Sequence, residues 1–91
     1  MKKLSKEAID LAKNALQTNN YYHDVSFHAL LTTFKIVLDL SEHDFAVRFG
    51  TTEERVRDWL NGIHMPPVGL RSIFIEWFEK KLSEAEKESI F

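Results

Sequence analysis

Charged and amide side chains recur along residues 53–61 at the spacing of one helical face. An arginine can donate two hydrogen bonds to guanine O6 and N7, and a glutamate can accept one from cytosine N4. Side chains of these types therefore predict recognition of base edges or of another charged surface. If the apolar residues of this stretch face inward, a turn of about 100° per residue assigns the outward positions. They are Glu54, Arg57, Asp58 and Asn61, with Glu53 and Arg55 beside them.

Patterns typical of enzymes and metal sites are absent from the sequence. No two of His23, His28, His43 and His64 are three or four residues apart, so a helical zinc site is not expected. There is no cysteine, no glycine-rich phosphate loop and no nucleophile-elbow pattern. We therefore expect no enzymatic activity, no metal and no cofactor.

Length and composition indicate a single small domain. The chain has 91 residues, 44% of them hydrophobic, and a net charge of −2. Residues 1–24 carry a net charge of +1, residues 25–72 of −1, and residues 73–91 of −2, so no basic tail strengthens nucleic-acid binding. No apolar run is long enough for a membrane span or a signal peptide, which predicts a cytoplasmic protein.

Apolar periodicity predicts an all-α fold, a small bundle of five helices without strands. We expect residues 1–24 to form an N-terminal helix and loop on the bundle and residues 25–91 to form the rest of one domain. Whether the first helix docks on its own bundle or exchanges between subunits stays open. The expected helices are about 5–17, 24 or 26 to 39, 42–49, 53–61, and one that starts near Val68 and carries Leu70, Ile73, Phe74, Trp77, Phe78 and Leu82 on one face.

Two of these helices are short and are joined by a turn that contains glycine. Ser41 and Asp44 are spaced as a capping-box variant, and Gly50 is suited to a left-handed helix end. Thr51 or Thr52 can then cap the next helix. Two short helices with such a turn form a helix-turn-helix unit.

The same residues carry a resemblance to a known family. Leu40-Ser41, Ala46, Gly50, Val56, Trp59, Asn61-Gly62 and Pro66 resemble the lambda-repressor/Cro-type helix-turn-helix over about residues 27–78. The resemblance implies a compact helical bundle, usually dimeric, whose fourth helix here would lie in the major groove of double-stranded DNA.

Carried over by position, the resemblance also implies a set of DNA contacts. The implied contact residues are Glu42, Glu53, Glu54, Arg57, Asp58 and Asn61. Glu53 and Glu54 can instead stabilise the helix dipole, Arg57 can pair with Asp58 or Glu53, and Asn61 can cap the helix end. His64 and Arg71 are added as candidate DNA contacts because they flank the loop and helix start where phosphates would run, but either can equally be an ordinary surface residue.

The apolar stripe of the last helix continues toward the end of the sequence. Phe78, Leu82, Ile90 and Phe91 can form a homodimer seam, or they can cover the N-terminal helix. A two-fold DNA site requires paired recognition helices, which favours the dimer.

Two functions follow from these observations. The first is a sequence-specific DNA-binding transcriptional regulator, a repressor that reads the major groove with residues 53–61. The second is a protein-interaction module, antitoxin-like, anti-repressor or adaptor, that binds its partner through the acidic face of the same helix. A basic rim around that helix favours DNA, and a continuous acidic face favours a protein.

Overall fold

Five helices make up the regular structure in the computed structural model, which describes residues 4–18 and 20–88. The expected all-α fold is confirmed, and no strand occurs in those two ranges. The helices are α1 (Lys6–Thr18), α2 (Asp24–Val37), α3 (Glu42–Phe49), α4 (Glu53–Leu60) and α5 (Val68–Glu88).

The core is built on α2 and on aromatic rings from α3, α4 and α5. Large rings bury much apolar area per residue, which a chain of this size needs to offset conformational entropy. Phe34 and Phe78 stack with ring centroids 4.6 Å apart, and Phe45 meets Trp77 edge to face at 5.2 Å. The buried stripe of α2 recurs at helical spacing and comprises Phe27, Leu30, Leu31, Phe34 and Val37.

The N-terminal helix docks on its own bundle. Ser5 accepts a hydrogen bond from the Ala8 backbone N–H at 3.1 Å and so caps α1. Ile9 and Ala12 join the core cluster that includes α2 and α5. Lys13 adds an ion pair to Glu86 of α5 at 2.9 Å.

The apolar stripe of α5 is only partly buried. Phe74, Trp77 and Phe78 are buried, but Leu70 is 49% exposed and Ile73 37% exposed. These two residues are exposed because the start of α5 lines an open groove.

Two members of the predicted homodimer seam are interior residues. Phe78 is fully buried and Leu82 is 3% exposed, both within the core of a single chain. A side chain without accessible surface cannot form a seam with another subunit unless the core opens. The alternative, that they cover the N-terminal helix, agrees with their shared cluster with Ile9 and Ala12. The other two predicted members, Ile90 and Phe91, lie outside the described residues.

Candidate nucleic-acid interface

Local hydrogen bonds set the start and end of α3. The Asp44 backbone N–H donates to Ser41 Oγ at 3.0 Å, and the Ser41 N–H donates to Asp44 Oδ2 at 2.8 Å, which completes a capping box. Gly50 then adopts φ of 63°, a left-handed conformation that ends the helix. The predicted capping box and glycine cap are both confirmed.

The next helix begins after a turn of only two residues beyond Gly50. The Arg55 backbone N–H donates to Thr52 Oγ1 at 3.1 Å, so Thr52 rather than Thr51 is the N-cap of α4. Val56 and Trp59 form the buried face of α4. The first turns of α4 therefore project their charged side chains away from the core.

His28 forms a hydrogen bond to the C-terminal end of α4. His28 Nε2 lies 2.7 Å from the carbonyl oxygen of Leu60, and because a carbonyl can only accept, an N–H at Nε2 donates to this helix-end oxygen. Gly62, with φ of 77°, lies against the same imidazole, where an added Cβ would come within 3.8 Å. No role for His28 is predicted from the sequence, where its only distinguishing feature is a polar side chain beside the buried Phe27 of α2.

Arginine 71 is a buried structural cation and not a surface residue. Its side chain is nearly inaccessible, with 3% of the residue exposed. Nε donates to the Pro66 carbonyl at 2.9 Å, and Nη1 donates to the carbonyls of Tyr21 at 2.8 Å and Tyr22 at 3.3 Å. Nη2 donates to Asp24 Oδ1 at 2.6 Å. Every nitrogen of the guanidinium is thus occupied inside the fold.

This burial corrects the expected phosphate contact of Arg71. The guanidinium joins the loop before α2, the start of α2 and the loop before α5, and its carbon lies 5.0 Å from the Phe27 ring centroid. The burial of Arg71 is indicated by its spacing in the sequence. Arg71, Phe74, Phe78 and Leu82 share one stripe at spacings of three and four residues.

The exposed face of α4 is tied to the start of α3 by one charged pair. Arg57 Nη2 donates to Glu42 Oε1 at 2.9 Å, and Arg57 Nε donates to Glu42 Oε2 at 3.3 Å. The hydrogen bond and the charge of Glu42 raise the pKa of Arg57 above its usual value. The structure therefore brings together two predicted contact residues. The partner of Arg57 is Glu42 rather than Asp58 or Glu53.

Two histidines border the same face. His43 Nδ1 lies 3.4 Å from Glu53 Oε2, and His64 Nδ1 lies 3.6 Å from Asp58 Oδ2. Both imidazoles are well exposed, at 69% and 83% of the side chain. Either can donate to a phosphate oxygen or to its neighbouring carboxylate. Of the two, only His64 is among the contact residues predicted from the sequence.

The remaining predicted contact residues lie around the same helix. Glu53 and Glu54 are exposed in the first turn of α4, where carboxylates also stabilise the helix dipole. Asn61 is exposed and occupies the C-cap position of α4. The basic charge around α4, the feature that would favour DNA, is limited because Arg71 is buried and α4 carries three carboxylates against two arginines.

The exposed face of α3 and α4, where Arg57 meets Glu42, is the candidate interface. Within the described ranges, no three His, Asp or Glu side chains lie together as a metal site, and none of the helices is long and apolar enough to cross a membrane. Comparisons with protein-family models, curated proteins and solved structures find no match to this chain.

Proposed function

We propose that this protein is a sequence-specific DNA-binding transcriptional regulator that acts as a repressor by occupying its DNA site. The observation that carries the proposal is the α3–turn–α4 unit. Gly50 ends the first of two short helices and Thr52 caps the second, and Val56 and Trp59 anchor the second helix on the core. α4 is left with a polar outer face, the part that a helix-turn-helix protein inserts into the major groove.

Arg57 is the residue that we assign to base readout. A guanidinium has two edges that can each donate a pair of hydrogen bonds. Glu42 occupies the edge formed by Nε and Nη2, so the edge formed by Nη1 and Nη2 stays available for guanine O6 and N7. In this proposal Glu42 orients Arg57 and does not compete with the base.

The other exposed residues take supporting roles. Glu53 or Glu54 accepts a hydrogen bond from cytosine N4, and Asp58 lies beside them on the same helix. Asn61 and His64 hold the phosphate backbone at the end of α4. Because the protein is slightly acidic, we expect modest affinity that falls with salt and depends on dimer avidity.

A homodimer is part of the proposal, because a two-fold DNA site requires two recognition helices about one turn of DNA apart. Its seam has to exclude Phe78 and Leu82, which belong to the core. The contribution of Ile90 and Phe91 to the seam is tested by replacing both with serine. Sedimentation velocity over a range of protein concentrations then measures the fraction of dimer. An unchanged dimer would remove them from the seam, and a monomer at every concentration of the wild type would contradict the dimer.

The test of DNA binding is selection from random-sequence duplexes, followed by sequencing, at low and at physiological salt. We compare the wild type with Arg57→Ala and with Lys80→Ala, which removes the same charge from an exposed position on α5. The proposal predicts a palindromic motif that Arg57→Ala loses or relaxes and that Lys80→Ala retains. No enrichment at either salt concentration would contradict DNA binding.

The second candidate is a module that binds a basic protein surface. The excess of carboxylates on α4 and the burial of Arg71 favour it, because both make the outer face more acidic. In that function Glu53, Glu54 and Asp58 contact the partner's cations. The same selection separates the two candidates. If the protein binds a basic protein surface, the wild type should enrich no DNA motif. The variant Glu53→Lys/Glu54→Lys should then gain non-specific DNA binding that the wild type lacks.

A further inference from the structure

An open groove lies beside α4, on the side of the helix away from Glu42. It is bounded by the end of α3, the turn after it, the loop between α4 and α5, and the first turns of α5, and its volume is about 930 Å³. We call it the α3–α5 groove. Its apolar lining consists of Phe49, Trp59, Met65, Leu70, Ile73 and Phe74.

The groove exposes large apolar side chains of an otherwise buried stripe. Leu70 and Ile73 precede the buried Phe74 on α5, yet they remain 49% and 37% exposed. Contiguous apolar surface with a polar rim is typical of a site where a ligand or partner binds. Pro66 and Pro67 stiffen one wall, so the groove is largely preformed and little order has to be gained on binding.

Two arginines line the groove without a carboxylate partner. Neither Arg48 nor Arg55 forms an ion pair with any carboxylate of residues 4–18 and 20–88. Arg48 only lies over the Phe49 ring, 5.3 Å from its centroid. By contrast, Arg57 and Arg71 are each paired with an acid. The groove therefore combines an apolar floor with cations that lack counter-ions.

A neighbouring groove differs from this one in the charge of its lining. The second groove, between α3 and the later part of α5, is also partly apolar, and Arg48 contributes to it as well. Its rim, however, holds Asp39, Asp44 and Glu84 alongside Lys81. Among the residues that the structure describes, the lining of the α3–α5 groove contains no Asp or Glu, so of these two grooves it is the one more complementary to an acidic ligand.

We propose that the α3–α5 groove binds an acidic amphipathic helix of a partner protein. Apolar side chains three or four residues apart on that helix would fill the space over Leu70 and Ile73, and its Asp or Glu side chains would pair with Arg48 and Arg55. The groove is open to solvent rather than enclosed, which suits a helix laid against it better than a small molecule that has to be enclosed. The inference does not require DNA binding, although Arg55 places the partner next to the proposed DNA face.

The test is selection of a displayed library of helical peptides on the protein without DNA, followed by fluorescence polarisation of the enriched peptides. We expect enriched sequences with apolar residues at positions i and i+3 or i+4, flanked by Asp or Glu. The double variant Arg48→Glu/Arg55→Glu should bind these peptides at least about tenfold more weakly and should bind their Lys-substituted versions more tightly. Leu70→Ser should weaken the binding of the acidic peptides and of their Lys-substituted versions alike, because both use the apolar floor.

Matched controls keep the outcome clear. Lys81→Glu reverses a charge in the second groove and should leave peptide binding unchanged, as should Arg57→Ala on the proposed DNA face. Circular dichroism melts verify that each variant is folded. No enrichment, enrichment without acidic residues, or equal binding by the double variant would overturn the proposal. None of these results bears on DNA binding, which is measured separately.

Discussion

The side chain of Arg57 lies against that of Glu42 in a two-point contact across the helix-turn-helix unit, with nitrogen–oxygen distances of 2.9 and 3.3 Å. The two residues are 15 positions apart, one in the first turn of α3 and the other on the outer face of α4. Glu42 raises the pKa of Arg57 through its hydrogen bond and its charge. The contact holds a cation in one orientation at the centre of an otherwise acidic face.

Replacing Glu42 with Gln should separate affinity from specificity. The substitution removes a negative charge from the proposed DNA face, so non-specific affinity should rise and its dependence on salt should become steeper. A neutral amide also holds the guanidinium less firmly, so discrimination for guanine at one base pair should fall. Binding to matched and mismatched duplexes measures both effects. Glu79→Gln, an exposed change on α5, is the control, and an unchanged specificity ratio for Glu42→Gln would contradict the orienting role.

Arg71→Met should destabilise the fold by about 2–4 kcal/mol, because four hydrogen bonds from a buried guanidinium are lost together. The stability of Arg71→Lys should lie between that of Arg71→Met and that of the wild type, since an ammonium keeps the charge but not the forked hydrogen-bonding geometry of a guanidinium. Urea unfolding midpoints measure the effect. Arg55→Met, on the surface, should stay within about 0.5 kcal/mol. A fully stable Arg71→Met would show that the residue does not hold the loops together.

His28→Leu should cost about 1–2 kcal/mol, because the Leu60 carbonyl at the end of α4 loses its donor while partly buried. His28→Gln retains an N–H donor on a side chain of similar reach and should recover part of the loss. Hydrogen exchange along α4 should quicken in the leucine variant more than in the glutamine variant. Equal exchange in the two variants would contradict a role for the hydrogen bond.

The same substitution at two glycines should have opposite effects. Gly50→Ala should lower the free energy of unfolding by about 1 kcal/mol, because φ is 63° there and an alanine is strained although no atom lies within 4 Å of the added Cβ. Gly69→Ala, inside α5 and equally open, should raise it by about 0.5 kcal/mol by restricting the unfolded chain. Thermal melts of both variants provide the measurement, and losses of equal size would contradict this account.

The sequence by itself determined the five helices and most of their ends, since these depend on groups a few residues apart. Ser41 and Asp44 define a capping box, Gly50 permits a left-handed helix end, and apolar spacing identifies the stripe of α2. It also placed Val56 and Trp59 inward and the charges of α4 outward. All of these are properties of a single helix or of one turn, so they can be derived without knowing how the helices pack.

The tertiary structure alone decided which partner each polar side chain takes. Arg57 had acids within reach on its own helix, yet it pairs with Glu42 on another. Arg71 contacts Tyr21, 50 positions away, and His28 contacts Leu60, 32 positions away. No local sequence pattern predicts contacts between residues so far apart in the chain. A buried polar group has to find a hydrogen-bond partner, and the packing of the helices determines which one is close enough. Packing therefore made Arg71 a structural residue and left Arg57 at the centre of the candidate interface.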